Sequence, residues 1–168
     1  MSRSGACLTR GGRNAFKSAR VASDNPFDMD SPSRQESPEA RPRILVVDDE
    51  SDLVSVLRFG LEIEGFEVIE AADGEEGLRL ARERQPTLML LDLMLPKMDG
   101  YKVCRSLKFD ERYKRMPILI LSARSGEQDR KLALEMGADA FISKPYDMKD
   151  LVAKIRARLG LPPSRQAA

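Results

Sequence analysis

The chain has 168 residues, 42% of them hydrophobic, which suits one domain of ordinary size with a real core. Its 28 basic and 27 acidic residues give a formal net charge of +1, with no electrostatic footprint for nucleic acid or an anionic membrane. There is no histidine, which excludes His-ligated zinc, Ser-His chemistry and a phosphohistidine on this chain.

Residues 1–40 differ in kind from the rest. They are rich in Ser, Arg, Pro and Gly and lack any hydrophobic period, as in SDNPFDMDSPSRQESPEARP. Such a composition cannot bury enough surface to offset ordering entropy, so a disordered tail is expected. The first 23 residues hold Arg3, Arg10, Arg13, Lys17 and Arg20 and no acid. A transit peptide or a nucleic-acid-touching arm shares that pattern, but a solvated tail is the simpler reading. No apolar h-region marks a secretory signal, and no apolar run nears the roughly 18 residues of a membrane span. The two cysteines, Cys7 and Cys104, fall in different regions, which favours a reducing, cytoplasmic setting over a disulfide framework.

From Arg43 a regular alternation begins. RILVV predicts a buried strand ending at Asp48. ESDLVSVLRFGLEIEG predicts a helix with Leu53, Leu57, Gly60 and Leu61 on its inner face and Gly65 as its stop. FEVIEA predicts a short strand. DGEEGLRLARER predicts a helix with Asp73 as N-cap and Glu76 three residues on, the capping-box pattern. TLMLL is a second buried strand, ending at Asp92. GYKVCRSLKFD carries Val103, Cys104 and Leu107 on one helical face. PILIL is a third buried strand, ending at Ser122. SGEQDRKLALEMG predicts a helix with Ser125 as N-cap and Gly137 as stop. DAFIS is the last strand, just before Lys144. DMKDLVAKIRARLG places Leu151, Val152, Ile155 and Leu159 at helical spacing until Gly160 and LPP break it.

Five β-α units with strands apolar on both faces imply an α/β fold with a parallel sheet between two helical layers. Right-handed crossovers leave few topologies, and the doubly wound, flavodoxin-like order 2-1-3-4-5 is expected. The domain is expected over 41–160, with a short disordered tail over 161–168.

In such sheets functional groups collect outside the carboxyl ends of the strands, where the strand order reverses. Asp48 and Asp49 follow strand 1, Asp92 ends strand 3, Ser122 ends strand 4 and Lys144 follows strand 5. Each alone has a bland explanation as a cap or a solvated side chain; their joint placement is what carries weight. Three carboxylates without a counter-charge would raise one another's pKa. Mg²⁺ relieves this with oxygen ligands while keeping sites for water and phosphate. Lys144 adds a mobile positive charge and Ser122 a hydroxyl donor. Together they suit a phosphoryl group, with Asp92 as the nucleophile that forms an aspartyl phosphate.

ILVVDDE, MLLDLMLPKMDG, LILSA and ISKP, in that order over about residues 43–160, resemble the receiver domain of two-component response regulators, the CheY-like family. The resemblance implies Asp92 as phosphoacceptor and Mg²⁺ held by Asp48, Asp49, Asp92 and the backbone carbonyl of Met94. It implies that Ser122 and Lys144 bond phosphoryl oxygens, and that the Lys144-Pro145 bond is cis. It implies a switch in which Ser122 moves toward the phosphoryl group and Phe141 turns inward. Phe141 has no hydroxyl to bond a loop, so its part rests on packing. Leu132 and Ala140 stand where receivers joined to winged-helix DNA-binding domains tend to hold a charged dimer network.

A haloacid-dehalogenase-type phosphatase would need a second Asp two residues after the nucleophile, and Met94 stands there. A flavodoxin would need a Ser/Thr-rich phosphate loop where this chain has DDESDL. A receiver-shaped interaction module that is not phosphorylated is the remaining alternative, and the complete acid, hydroxyl and lysine set speaks against it. The expected protein is therefore not an enzyme beyond its own phosphotransfer and slow dephosphorylation. Its expected donor is a sensor histidine kinase or a histidine phosphotransfer protein. Because the sequence ends soon after the last helix, a stand-alone and mostly monomeric receiver is expected, with an unknown protein target, no direct nucleic-acid partner and no membrane. Removing residues 1–40 should leave melting temperature and phosphorylation unchanged; a fall of several degrees by calorimetry would show that they pack on the domain.

Overall fold

Short apolar runs become the strands of one parallel sheet, the three central ones buried on both faces and the two edge ones only in part. The strands are β1 (Arg43–Val47), β2 (Glu67–Ala71), β3 (Leu88–Asp92), β4 (Ile118–Ser122) and β5 (Ala140–Ser143). They pair in the order β2-β1-β3-β4-β5, the order expected from the sequence. The computed structural model describes residues 41–164. The disorder expected over residues 1–40, with Cys7, lies outside the described residues, as do residues 165–168 of the expected C-terminal tail. Among the described residues no helix is long and apolar enough to cross a membrane.

Side-chain alternation along the strands splits the core into two layers. Leu45, Val47, Met89, Leu91, Ile118 and Ile120 pack with residues of α2 (Gly74–Arg84), α3 (Gly100–Lys108) and α4 (Glu127–Glu135). Ile44, Val46, Leu88, Leu90, Leu119 and Leu121 pack with α1 (Ser51–Ile63) and α5 (Met148–Leu159). The helices follow the sequence reading with small differences. In α1, Val54 joins Leu57 and Leu61 as fully buried, while Leu53 and Gly60 are half-buried. Asp73 caps α2 by accepting the Glu76 N–H at 2.8 Å. The Glu76 carboxylate reaches back to the Ala72 N–H, one residue beyond the cap itself. The expected Ser125 cap of α4 is not found: Gly126 is the N-cap and makes no side-chain bond. Ser125 lies one residue too early, outside the position from which a side chain reaches the first turn. Residues 161–164 make defined contacts: Leu161 packs on the α1–α5 layer, and the Pro162 carbonyl accepts from Arg156.

Register positions the site. Val47 pairs with Leu91, so the next residues, Asp48 and Asp92, leave the sheet side by side. Ser122 pairs with Ser143, so Lys144 follows one step beyond. Two further backbone bonds extend the ladders to these positions, from the Asp48 N–H to the Ala71 carbonyl and from the Lys144 N–H to the Ser122 carbonyl. The opposite edge of the sheet carries the helix-to-strand turns, where Gly65, Gln85 and Gly137 adopt positive φ.

The β3–α3 connection folds back tightly over the end of β3. A Cβ on Gly100 would lie 2.2 Å from the Asp92 carbonyl oxygen, and one on Gly74 2.1 Å from the Met98 carbonyl oxygen. Gly100→Ala is therefore expected to destabilise the domain by about 1–3 kcal/mol, the range for forced overpacking. Urea denaturation of the two proteins checks it; equal midpoints would show that the connection can yield.

Candidate functional site

The ends of β1, β3 and β5 deliver one ammonium between two buried carboxylates. Lys144 Nζ donates to Asp48 Oδ2 at 2.8 Å and to Asp92 Oδ2 at 2.9 Å. Asp48 is 3% and Asp92 5% exposed, while Asp49 is open to solvent. The second oxygen of each buried carboxylate takes a backbone donor: Asp48 Oδ1 from the Glu50 N–H at 2.9 Å, and Asp92 Oδ1 from the Met94 N–H at 3.1 Å. Both carboxylates are thereby fixed in rotamer and direction.

Charge remains unbalanced. One carboxylate oxygen from each of Asp48, Asp49 and Asp92 lies within 4.8 Å of the others. Glu50, which the sequence reading passed over, adds a fourth carboxylate 3.6 Å from Lys144. Four acids thus face one ammonium. Burial, above all, raises the Asp48 carboxyl above its ordinary range, and Asp92 adds repulsion; bonds from Lys144 and the Glu50 N–H pull the other way. For Lys144, burial alone would lower the pKa, but its bonds to Asp48 and Asp92 prevail and hold it above its usual range. Hard oxygen donors, clustered and in excess of their counter-charge, fit a hard divalent cation.

The other sequence-derived residues take less direct places. Ser122 is fully buried; its hydroxyl accepts the Arg124 N–H at 3.1 Å, and among the described residues that hydroxyl makes no hydrogen bond to Asp92 or to the Lys144 side chain. The Met94 side chain is exposed. The Lys144-Pro145 peptide bond is cis. Phe141 is half-buried against the layer formed with α2, α3 and α4. Leu132 is 40% exposed and does not share the burial of Ala133 beside it. Two features had no sequence signal, because both depend on how residues far apart in the chain pack together. Lys97, at positive φ, pairs with Asp73 at 2.5 Å and ties the β3–α3 connection to the start of α2. Tyr146, two residues past Lys144, buries a hydroxyl with no partner among the described residues, and burial pushes it up to about 12.

A doubly wound five-stranded sheet with an acidic cluster at its carboxyl edge, set around a lysine, defines a phosphoacceptor class of signalling domain. The chain belongs to the response regulator receiver domain family, whose profile matches residues 44–156, and it carries the receiver domain of a two-component response regulator. It is 44% identical over 117 residues to the alkaline phosphatase synthesis transcriptional regulatory protein PhoP of Bacillus subtilis, covering 70% of this chain and 48% of that protein. It is 42% identical over 118 residues to the DNA-binding dual master transcriptional regulator RpaA of Synechocystis, covering 70% of this chain and 49% of that one. A solved CheY-like receiver domain protein from Methanospirillum hungatei JF-1 superimposes with a TM-score of 0.68 at 31% identity, over 72% of this chain and 95% of that one.

These relatives correct one expectation. The chain spans about half the length of the curated relatives it matches. They are named as transcriptional regulators, one of them as DNA-binding. The stand-alone, mostly monomeric reading with no nucleic-acid partner rested on near-neutral charge and on where the sequence stops. The charge of a receiver portion carries no information about segments outside it, so that reading is withdrawn.

Asp48 sets a pH test. A carboxyl raised in the fold binds its proton more tightly there than in the unfolded chain. Its stabilising contribution is present below its ordinary value of 3.8 and is lost as pH rises through the raised value. In chelator, Asp48→Asn should melt above wild type at neutral pH, with the gain shrinking toward acid. Thermal melts across that range decide it; a gain that grows on acidification contradicts the assignment.

Proposed function

We propose that Asp92 accepts a phosphoryl group from a phosphohistidine on a sensor histidine kinase or histidine phosphotransfer protein. The observation that supports it most is the sharing of Lys144 between Asp48 and Asp92, with Asp49 within reach of both carboxylates. Asp92 is held by the Met94 N–H and by Lys144, so its carboxylate is oriented before the donor arrives. An Asp92 oxygen bonds to phosphorus as the P–N bond to the donor imidazole breaks, and the electron pair leaves on the imidazole nitrogen. Lys144 then neutralises charge on a phosphoryl oxygen, and the Ser122 hydroxyl donates to another once it turns toward Asp92.

The residues fit Mg²⁺: Asp48, Asp49, Asp92 and the Met94 carbonyl would hold it, and when bound it would supply positive charge to offset the excess carboxylates and the phosphoryl oxygens. With Met94 in place of a second acid beside the nucleophile, the domain acts on its own phosphate and turns over no separate substrate. A cytoplasmic setting fits the free, buried Cys104. Signalling then passes by a change in what the receiver binds, in keeping with relatives named as transcriptional regulators.

Intact-mass spectrometry with acetyl phosphate and Mg²⁺ tests the proposal. Wild type is expected to gain a phosphate-sized mass, Asp92→Asn to gain none, and chelator to abolish the gain. No gain by wild type, or an equal gain by Asp92→Asn, would favour an interaction module that is not phosphorylated.

A further inference from the structure

Ser122 is one end of a string of contacts. Its hydroxyl accepts the Arg124 N–H at 3.1 Å. The Arg124 guanidinium lies 3.8 Å from the Asp129 carboxylate. That carboxylate accepts the Tyr101 hydroxyl at 3.1 Å, and the Asp129 carbonyl lies 3.4 Å from the same hydroxyl. The segment from Ser122 to Asp129 is thus held at its far end by a residue of α3. The start of α4 has little else to hold it: its N-cap glycine makes no side-chain bond, and Ala133 alone in the helix is buried.

α3 is the fixed side of this contact. Gly100, just before Tyr101, sits against the Asp92 carbonyl with no room for a side chain, and its N–H donates to the Leu93 carbonyl at 3.1 Å. Tyr101 therefore stands on the base of the strand that bears Asp92, while Asp129 stands on the segment that bears Ser122. Phe141 is half-buried against the same apolar layer as Tyr101 and has no hydroxyl to offer this segment.

We infer that Tyr101 is a positioning residue whose bond to Asp129 holds the Ser122–Asp129 segment in its unphosphorylated arrangement and opposes the approach of Ser122 to a phosphoryl group on Asp92. The inference rests on the reading of Asp92 and Ser122 given above. At 3.1 Å the bond from the Tyr101 hydroxyl to the carboxylate is of ordinary strength, about 1 kcal/mol. Removing it from the resting arrangement raises the fraction of molecules ready for the phosphoryl group, and the apparent affinity rises in proportion.

Beryllofluoride with saturating Mg²⁺ serves as the phosphoryl mimic, titrated calorimetrically into wild type, Tyr101→Phe and Asp129→Ala. Tyr101→Phe keeps the ring and its packing. It is expected to bind the mimic roughly fivefold more tightly, on the scale of one ordinary hydrogen bond, with affinity for Mg²⁺ alone unchanged. Amide exchange at the start of α4 should quicken in the same variant without the mimic. The double variant should bind no more tightly than the tighter single variant, because both changes break the Tyr101–Asp129 bond. If wild type binds the mimic and Tyr101→Phe binds it equally or more weakly, the tether is overturned while the site reading stands. If wild type does not bind the mimic at all, the Asp92 reading fails and the tether falls with it.

Discussion

Two carboxylates sharing one ammonium at the end of a sheet are the constraint on which the rest of this domain depends. Burying Asp48 and Asp92 among apolar strands would cost several kcal/mol each without partners. Among the described residues the structure supplies Lys144 and two backbone N–H groups, and no more. The remaining imbalance, with Asp49 and Glu50 close by, leaves the edge under-compensated. An under-compensated buried acid is a poor stability device and a good phosphate site, because a cation and a phosphoryl group complete what the protein leaves unfinished. The sheet register, the tight β3–α3 connection and the Lys97–Asp73 pair all serve to keep that imbalance in place.

Much of this was legible in the sequence for a simple reason. Strands buried on both faces read as unbroken apolar runs, and the first polar residue after each run marks the carboxyl edge. Asp48, Asp92 and Ser122 could be found that way because each breaks such a run, while Lys144 follows one residue later, behind Ser143. Where two local patterns compete, the reading slipped. Ser125 and Gly126 are both acceptable N-cap residues, and only the first helical turn decides between them. Leu53 and Val54 are both apolar, and the rotation of α1 on the sheet chose Val54.

Other features had no local signature. Tyr101 and Asp129 are 28 residues apart, and their contact depends on how α3 and α4 lie beside each other. The tie of the relatives to transcription likewise lies beyond composition, since the charge of a receiver portion says nothing about its neighbours in the chain.

The separation of the two sheet edges has a practical side. Asp48, Asp92, Ser122 and Lys144 lie at one edge, and the turns at Gly65, Gln85 and Gly137 lie at the other, a five-residue strand away, or roughly 16 Å. A dye or affinity handle grafted onto the exposed Gly65 or Gln85 turn would sit outside the acidic pocket. The domain thus comes with a handle end and an acidic end, which suits it to surface immobilisation with the acidic edge turned away from the support.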